Sequence, residues 1–239
     1  MMASPTVIQK RNIIVLGKTG AGKSSVANRI VGMDLFEVTT SSVSSVTKHP
    51  SVKEASVIHD GIQYTFKTID TVGLFDTAEK TNEEIFREAK TFIRERVPEG
   101  ISLVLFVFKE GRFTPEERKT FESLIKNFGE SKITDISALI VTCCENMTPK
   151  ARIALVEEMK SNERTNKITS FMKKGIYPVG FPNLKEVDPR IKEVHEETAK
   201  QDAETLHKLI RNCEDKMILS KDILTESFWE KLKSSCTFL

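Results

Sequence analysis

The sequence predicts an α/β fold. It should have a mostly parallel six-stranded sheet with one antiparallel edge strand, helices on both faces and a helical C-terminal extension. Three observations carry this reading: short apolar runs that alternate with amphipathic stretches, an Asp-Gly turn between two alternating runs, and a glycine-rich loop set between a strand and a helix. The chain has 239 residues and 39% hydrophobic content, enough for one sizeable core with an extension.

Taken in order, Asn12–Leu16 (NIIVL) is a buried strand that ends at Gly17, and Ser24–Val31 follows as a helix. Leu35–Lys48 is rich in Ser, Thr and Val without a steady period and reads as a loop. Ser51–Ile58 and Ile62–Ile69 form a hairpin around His59-Asp60-Gly61. Thr81–Val97 is a helix opened by the capping box of Thr81 and Glu84. The run Ser102–Phe108 (SLVLFVF) is apolar throughout, as a strand covered on both faces must be. Thr114 caps a helix to Phe128, with Pro115 in its first turn and Glu117 closing the box.

Ala138–Cys143 is the next buried strand, and Thr148-Pro149 opens another helix by the same cap-then-proline logic. Ile176–Val179 is a last short strand. Asp188-Pro189 should open a long helix that buries Ile191, Val194, Thr198, Leu206, Leu209 and Ile210 along one face. The resulting division is an N-terminal tail over 1–11, a globular domain over 12–211 and a C-terminal helical extension over 212–239.

Lys and Arg number 36 against 34 Asp and Glu, a net charge of +2 that gives no reason to expect a nucleic-acid partner. The four cysteines, Cys143, Cys144, Cys213 and Cys236, lack CxxC spacing, which argues against zinc and suits a reducing, cytoplasmic compartment. Cys143 and Cys144 read as strand packing. The first ten residues have no apolar segment of signal-peptide type, and the longest nearly apolar run, Ile101–Phe108, is too short to span a bilayer.

Chemistry enters at Gly17-Lys18-Thr19-Gly20-Ala21-Gly22-Lys23-Ser24, which matches G-x-x-x-x-G-K-[ST]. Glycines let the loop turn so that backbone N–H groups converge on anionic oxygens, and the helix that follows adds its positive end. Lys23 is placed to bridge β- and γ-phosphates and Ser24 to ligate Mg²⁺, with Ser25 beside it. Asp70-Thr71-Val72-Gly73 closes the strand Ile62–Ile69. Asp70 would position Mg²⁺, and the Gly73 N–H could approach a γ-phosphate, making the segment that follows a nucleotide-sensing switch.

At this point the sequence resembles the immunity-associated (IMAP/AIG-type) GTPases. GKTGAGKSS, the loop ending Ser45-Val46-Thr47-Lys48, DTVGLFDT and the box Gly111-Arg112-Phe113-Thr114-Pro115-Glu116-Glu117 resemble the corresponding segments of that family over about Asn12 to Arg211. The resemblance implies a P-loop GTPase (G-domain) fold, GTP and GDP as ligands with Mg²⁺ as cofactor, and nucleotide-dependent homodimers or oligomers formed through the G domain on membranes. By position, Thr47 would be the switch threonine that closes on Mg²⁺. Arg112 would be the arginine supplied across a dimer, against the simpler reading of a surface arginine.

Two departures stand out. Val72 occupies the position of a usual proline. The base-reading segment is Thr142-Cys143-Cys144-Glu145, in which Glu145 can supply the acid while Cys143 replaces the lysine that would cover the base. Phe181, in Val179-Gly180-Phe181-Pro182, has two open readings: stacking on the base or packing in the core. Leu74 follows Gly73 and cannot orient water, so hydrolysis by an isolated molecule should be slow. The alternatives are a non-hydrolysing GTP-dependent membrane scaffold and an ATP-using P-loop protein. The end Cys236-Thr237-Phe238-Leu239 fits C-a-a-X, which would place a prenyl group on Cys236 and the protein peripherally on the cytosolic face of a membrane.

Overall fold

The computed structural model describes residues 7–32, 36, 51–59, 62–70, 91–92, 94–111, 114, 132–184 and 187–213. They form β1 (Val7–Gly17), α1 (Lys23–Val31), β2 (Ser51–His59), β3 (Ile62–Asp70), β4 (Leu103–Lys109), β5 (Ser137–Thr142), α2 (Pro149–Ser161), α3 (Asn166–Phe171), β6 (Ile176–Pro178) and α4 (Lys192–Arg211). The six strands make one sheet in the order β2-β3-β1-β4-β5-β6. All pairings are parallel except β2 with β3, so the hairpin supplies the antiparallel edge expected from its Asp-Gly turn.

The register sets the position of the site. β1 lies against β3 up to Val15↔Asp70 and against β4 up to Gly17↔Val107. β5 runs to Lys109↔Thr142 beside β4 and to Val141↔Pro178 beside β6. Gly17, Asp70, Thr142 and Pro178 therefore meet at the carboxyl edge of the parallel strands. From β1 the chain first goes to one side, to β2 and β3, and then crosses to β4 on the other. Such a switch point leaves a crevice at the end of β1.

Period-two alternation divides the core. Ile13, Val15, Leu103, Leu105, Val107, Ala138 and Ile140 face α1 and α4, where Val26, Ile30, Leu206, Leu209 and Ile210 cover them. Ile14, Val104, Phe106, Phe108, Leu139 and Val141 face the opposite layer with Ile168, Phe171 and Met172. Because both faces are covered, β4 and β5 are apolar at nearly every position. Each fully buried Val, Leu, Ile or Phe contributes about 1.5–3 kcal/mol. The sheet centre is thus a stiff base for the loops at its edge.

The structure revises the sequence reading in several places. β1 begins at Val7 rather than Asn12, because residues 7–11 continue the ladder with residues 62–66 of β3. Within this first half of β1, Arg11 is buried and its guanidinium donates to the carbonyls of Ile210 (3.3 Å), in the last turn of α4, and Cys213 (3.0 Å), just past it. β5 stops at Thr142: Cys143 has φ 64° and is exposed, so of the two adjacent cysteines only Cys144 packs inside.

The last helix starts at Lys192, not at Asp188-Pro189. The Asp188 carboxylate instead accepts from the Arg190 backbone N–H (2.9 Å) and pairs with its guanidinium, closing a local turn. Its buried face is also different. His195, Ala199, Asp202, Leu206, Leu209 and Ile210 point inward, while Ile191 and Val194 are 47% and 67% exposed. Two short elements gave no period in the sequence, α3 and a 3-10 turn at Lys132–Ile136. Residues 91–92 and 94–96 are helical, within the expected Thr81–Val97 segment. The expected helix Thr114–Phe128 and the 212–239 extension lie outside the described residues, apart from Thr114, Asn212 and Cys213. No described helix is long and apolar enough to cross a membrane.

Candidate nucleotide-binding site

The loop between β1 and α1 is held by its neighbours before any ligand is considered. Gly17 lies so close to β4 that a Cβ there would fall 2.4 Å from the Val107 carbonyl oxygen. The Lys18 carbonyl accepts from the Ala21 N–H and from the Lys23 ammonium, both at 3.1 Å, which folds the loop into a tight turn. Gly20 and Gly22 have φ 77° and 88°, the left-handed region where side chains are disfavoured. Gly22 is the N-cap of α1 and no side chain caps the helix. The positive end of α1 therefore faces the concave side of the loop.

Thr142, at the end of β5, braces this loop from below. It is buried, and its hydroxyl lies 2.8 Å from the Ala21 carbonyl and 2.9 Å from that of Phe108, two acceptors for one proton. Its side chain also packs 3.2–3.4 Å from where a Cβ on Gly22 would stand. Thr142 thus fixes the phosphate loop to the central sheet rather than pointing into the crevice.

Across the crevice, the Ser24 hydroxyl donates to Asp70 Oδ2 at 2.6 Å. Asp70 is 1% exposed, and its Oδ1 has no hydrogen-bond partner among the described residues. Burial pushes the Asp70 carboxyl above its ordinary range, against the opposing pull of the Ser24 hydrogen bond and the nearby Lys23 charge. A buried carboxylate with an unused oxygen beside a serine hydroxyl is a hard, oxygen-only donor set, and Mg²⁺ fits it. In the loop itself, the buried Thr19 hydroxyl is likewise without a partner among the described residues. Ser25 sits half-buried in the first turn of α1.

The second wall is built by two loops packed backbone to backbone. The left-handed turn at Cys143 sends Cys144 inward, where its N–H donates to the Val179 carbonyl at 3.1 Å. Burial, the first cause, and then Glu145 raise the Cys143 thiol, so at neutral pH it stays protonated. The Cys144 thiol is pushed up to about 12, chiefly by burial. Gly180 faces Glu145: a Cβ there would lie 2.3 Å from the Glu145 backbone nitrogen and Cα. Phe181 packs partly buried against the α1 side of the core, with the Arg29 guanidinium 5.7 Å from its ring centroid. Glu145 itself is partly exposed at the rim.

The fold therefore gathers Gly17 through Ser25, Asp70, Thr142, Glu145 and Phe181 at one sheet edge. Thr47, Gly73, Arg112 and Cys236 lie outside the described residues, as do Val72 and Leu74. Three polar residues at or near this edge went unnoticed in the sequence. Asn28 of α1 holds Phe36 by both backbone groups, at 2.8 and 2.7 Å. Arg152 of α2 and Asp202 of α4 pair at 2.6 Å behind the second wall. A polar residue in the middle of a buried helical stripe was the available signal for Asn28 and Asp202. It was obscured for Asp202 by the misplaced stripe.

Comparisons with known proteins bear on the family and the fold. The chain is 29% identical over 133 residues, 53% of its length, to GTPase IMAP family member 8 of Rattus norvegicus. It is 32% identical over 134 residues, 56% of its length, to immune-associated nucleotide-binding protein 13 of Arabidopsis thaliana. These matches span only 18% and 38% of the two relatives. Among solved structures, Toc33 of Arabidopsis thaliana in complex with GDP and Mg²⁺ superposes with a TM-score of 0.51 at 19% identity, covering 82% of this chain and 85% of that one. Era, in complex with MgGDPNP and a piece of 16S ribosomal RNA, gives 0.57 at 15% identity, covering 89% and 59%. At such identities the likeness is one of fold, that of a GTPase G domain. The AIG1 family matches residues 11–175, from the buried part of β1 to the turn before β6, and the chain belongs to that family.

Proposed function

We propose that this chain binds GTP and GDP with Mg²⁺ and hydrolyses GTP slowly. One observation carries the reading: the Ser24–Asp70 pair at 2.6 Å, with Asp70 Oδ1 buried and unpartnered, beside an uncapped helix N-terminus. The loop N–H groups and Lys23 would hold the phosphates, and Ser24 and Asp70 the metal, directly or through water. Bound Mg²⁺ would neutralise charge on the phosphate oxygens. Glu145 would read guanine through its N1 and exocyclic amine, with the two packed loops as the wall of the pocket. Toc33 with Mg²⁺ and a nucleotide, and the curated nucleotide-binding relatives, support this assignment.

The slow rate follows from Leu74, which offers no group to orient a water. Dimerisation is important for the GTPase activity of the chloroplast translocon components Toc33 and Toc159. We extend that behaviour to this chain, with Arg112 as the residue offered across the dimer. Attachment to a cytosolic membrane surface through Cys236 belongs to the same proposal, and mass spectrometry of protein from its native cells reads it directly. Leu74 also favours a second reading, a GTP-dependent membrane scaffold that does not turn over. Turnover per molecule, measured against protein concentration, separates the two. A rise with concentration that Arg112→Ala abolishes supports dimer-activated hydrolysis. No GTP consumption at any concentration leaves the scaffold.

A further inference from the structure

Arg152 and Asp202 are 50 residues apart in sequence and stand behind the second wall of the pocket, on α2 and α4. Their side chains are 16% and 8% exposed. Arg152 Nη1 donates to Asp202 Oδ1 at 2.6 Å and to the Pro178 carbonyl at 3.3 Å, and Nη2 donates to the Cys144 carbonyl at 2.8 Å. The other carboxylate oxygen of Asp202 accepts from the Gly180 N–H at 2.7 Å. One ion pair thus grips the backbone of both loops, 144–145 on one side and 178–180 on the other. Neither side chain is needed elsewhere in the site.

The pair acts where the tolerance is smallest. Glu145 backbone and Gly180 leave no room even for a methyl group between them. Among the described residues, the backbone holds the two segments together by the Cys144 N–H donating to the Val179 carbonyl at 3.1 Å and the Val179 N–H donating to the Val141 carbonyl, just before the first loop, at 2.8 Å. A change in loop separation must therefore move Glu145. The planar guanidinium meets a carboxylate and two carbonyls at once, which the single ammonium of a lysine cannot reproduce.

We propose that the Arg152–Asp202 pair is the positioning element that sets base specificity: by clamping the 144–145 and 178–180 backbones it holds Glu145 where it reads the guanine edge. The inference rests on the proposed role of Glu145, and it makes Arg152 and Asp202 positioning residues with no contact to the nucleotide.

The test uses the full chain and three nucleotides: GDP, inosine diphosphate, which lacks the exocyclic amine, and ADP. Affinities are measured by calorimetry with Mg²⁺ for the wild type and for Arg152→Lys, Asp202→Ala and Asp202→Asn, alongside thermal melting. The expected result is that the preference for GDP over the inosine and adenine analogues falls by about tenfold or more in Arg152→Lys and Asp202→Ala, the loss of one charge-assisted contact. ADP affinity, carried by the phosphates, stays within about threefold. Asp202→Asn, which keeps an acceptor for the Gly180 N–H, retains more of the preference than Asp202→Ala. A uniform loss across all three nucleotides, or an unchanged preference in Arg152→Lys and Asp202→Ala, overturns the inference and leaves guanine binding intact. Should Asp202→Ala fail to fold, Arg152→Lys and Asp202→Asn carry the comparison. Equal binding of GDP and ADP by the wild type overturns the guanine reading itself, and this inference with it.

Discussion

Gly180→Ala places a methyl group where the two loops of the base wall meet. The added Cβ falls 2.3 Å from the Glu145 nitrogen and Cα and 2.6 Å from its Cβ, whereas ordinary contact begins at 3.4 Å. The neighbours are backbone, so they cannot rotate away, and the loops must part by about 1 Å. That displacement carries the Gly180 N–H, now 2.7 Å from Asp202, out of hydrogen-bond range. A hydrogen bond to a charged group contributes about 1.5–3 kcal/mol. The reduced freedom of the unfolded alanine chain returns about 0.4–1 kcal/mol. The net loss of about 0.5–2.6 kcal/mol lowers the melting temperature by about 1–10 °C for a chain of this size.

Nucleotide affinity should suffer more selectively, because Glu145 moves with its loop. The expected loss for GDP is about 10- to 100-fold, one charge-assisted contact, with a much smaller loss for ADP. Differential scanning fluorimetry and calorimetric titration read the two effects. Gly32→Asn is the control: apart from its chain neighbours and its own helix, no described atom lies within 4 Å of its added Cβ, and asparagine tolerates the left-handed C-cap of α1. Wild-type melting and GDP affinity in Gly180→Ala would refute the close packing of the loops and its link to base binding.

Three further predictions follow from single contacts. Asp70 titrates above its ordinary value of 3.8 because burial penalises its charge. The folded nucleotide-free protein therefore holds this proton more tightly than the unfolded chain, and the penalty is absent below 3.8 and complete above the raised pKa. Asp70→Asn should accordingly melt higher than the wild type without nucleotide at pH 7, by a margin that vanishes toward pH 4, while Mg²⁺-dependent nucleotide affinity drops; equal or lower melting at pH 7 contradicts the burial argument. Thr142→Val removes the hydroxyl shared by Ala21 and Phe108, and should cost about 1–3 kcal/mol and weaken GDP and ADP alike, with Thr142→Ser restoring both. Arg11→Met strips the donors from the last turn of α4, and urea unfolding should show a loss of about 2–4 kcal/mol at an unchanged slope.

The parts of the fold that were legible in the sequence are those fixed by local pattern or by contiguous residues. β4 and β5 stood out because a strand covered on both faces has no polar positions to spare. The hairpin stood out because Asp60-Gly61 separates two alternating runs. The phosphate loop was readable because its glycines, Lys23 and Ser24 are consecutive. The second wall was not, since Arg152 and Asp202 meet only through tertiary packing, and the demand on Gly180 comes from a backbone far away in sequence. The buried face of α4 is hidden from the sequence for a related reason. Ile191 and Val194 continue an apolar spacing, yet the helix turns His195, Ala199 and Asp202 inward at this end and leaves them in solvent. The first half of β1 is not legible because Gln9, Lys10 and Arg11 look like surface residues, although Arg11 is buried against the end of α4.

The proposed function is the binding of a guanine nucleotide with Mg²⁺ through the phosphate loop, with Glu145 reading the base. Its most direct test is competition of GTP, GDP, ATP and ADP against a fluorescent GDP analogue on the purified full chain, with Mg²⁺ and with EDTA. Guanine nucleotides that win by orders of magnitude, with affinity that falls when Mg²⁺ is removed, are the predicted result. Adenine nucleotides that compete equally would contradict it and make the Thr142–Glu145 segment a structural turn rather than a reader of the base.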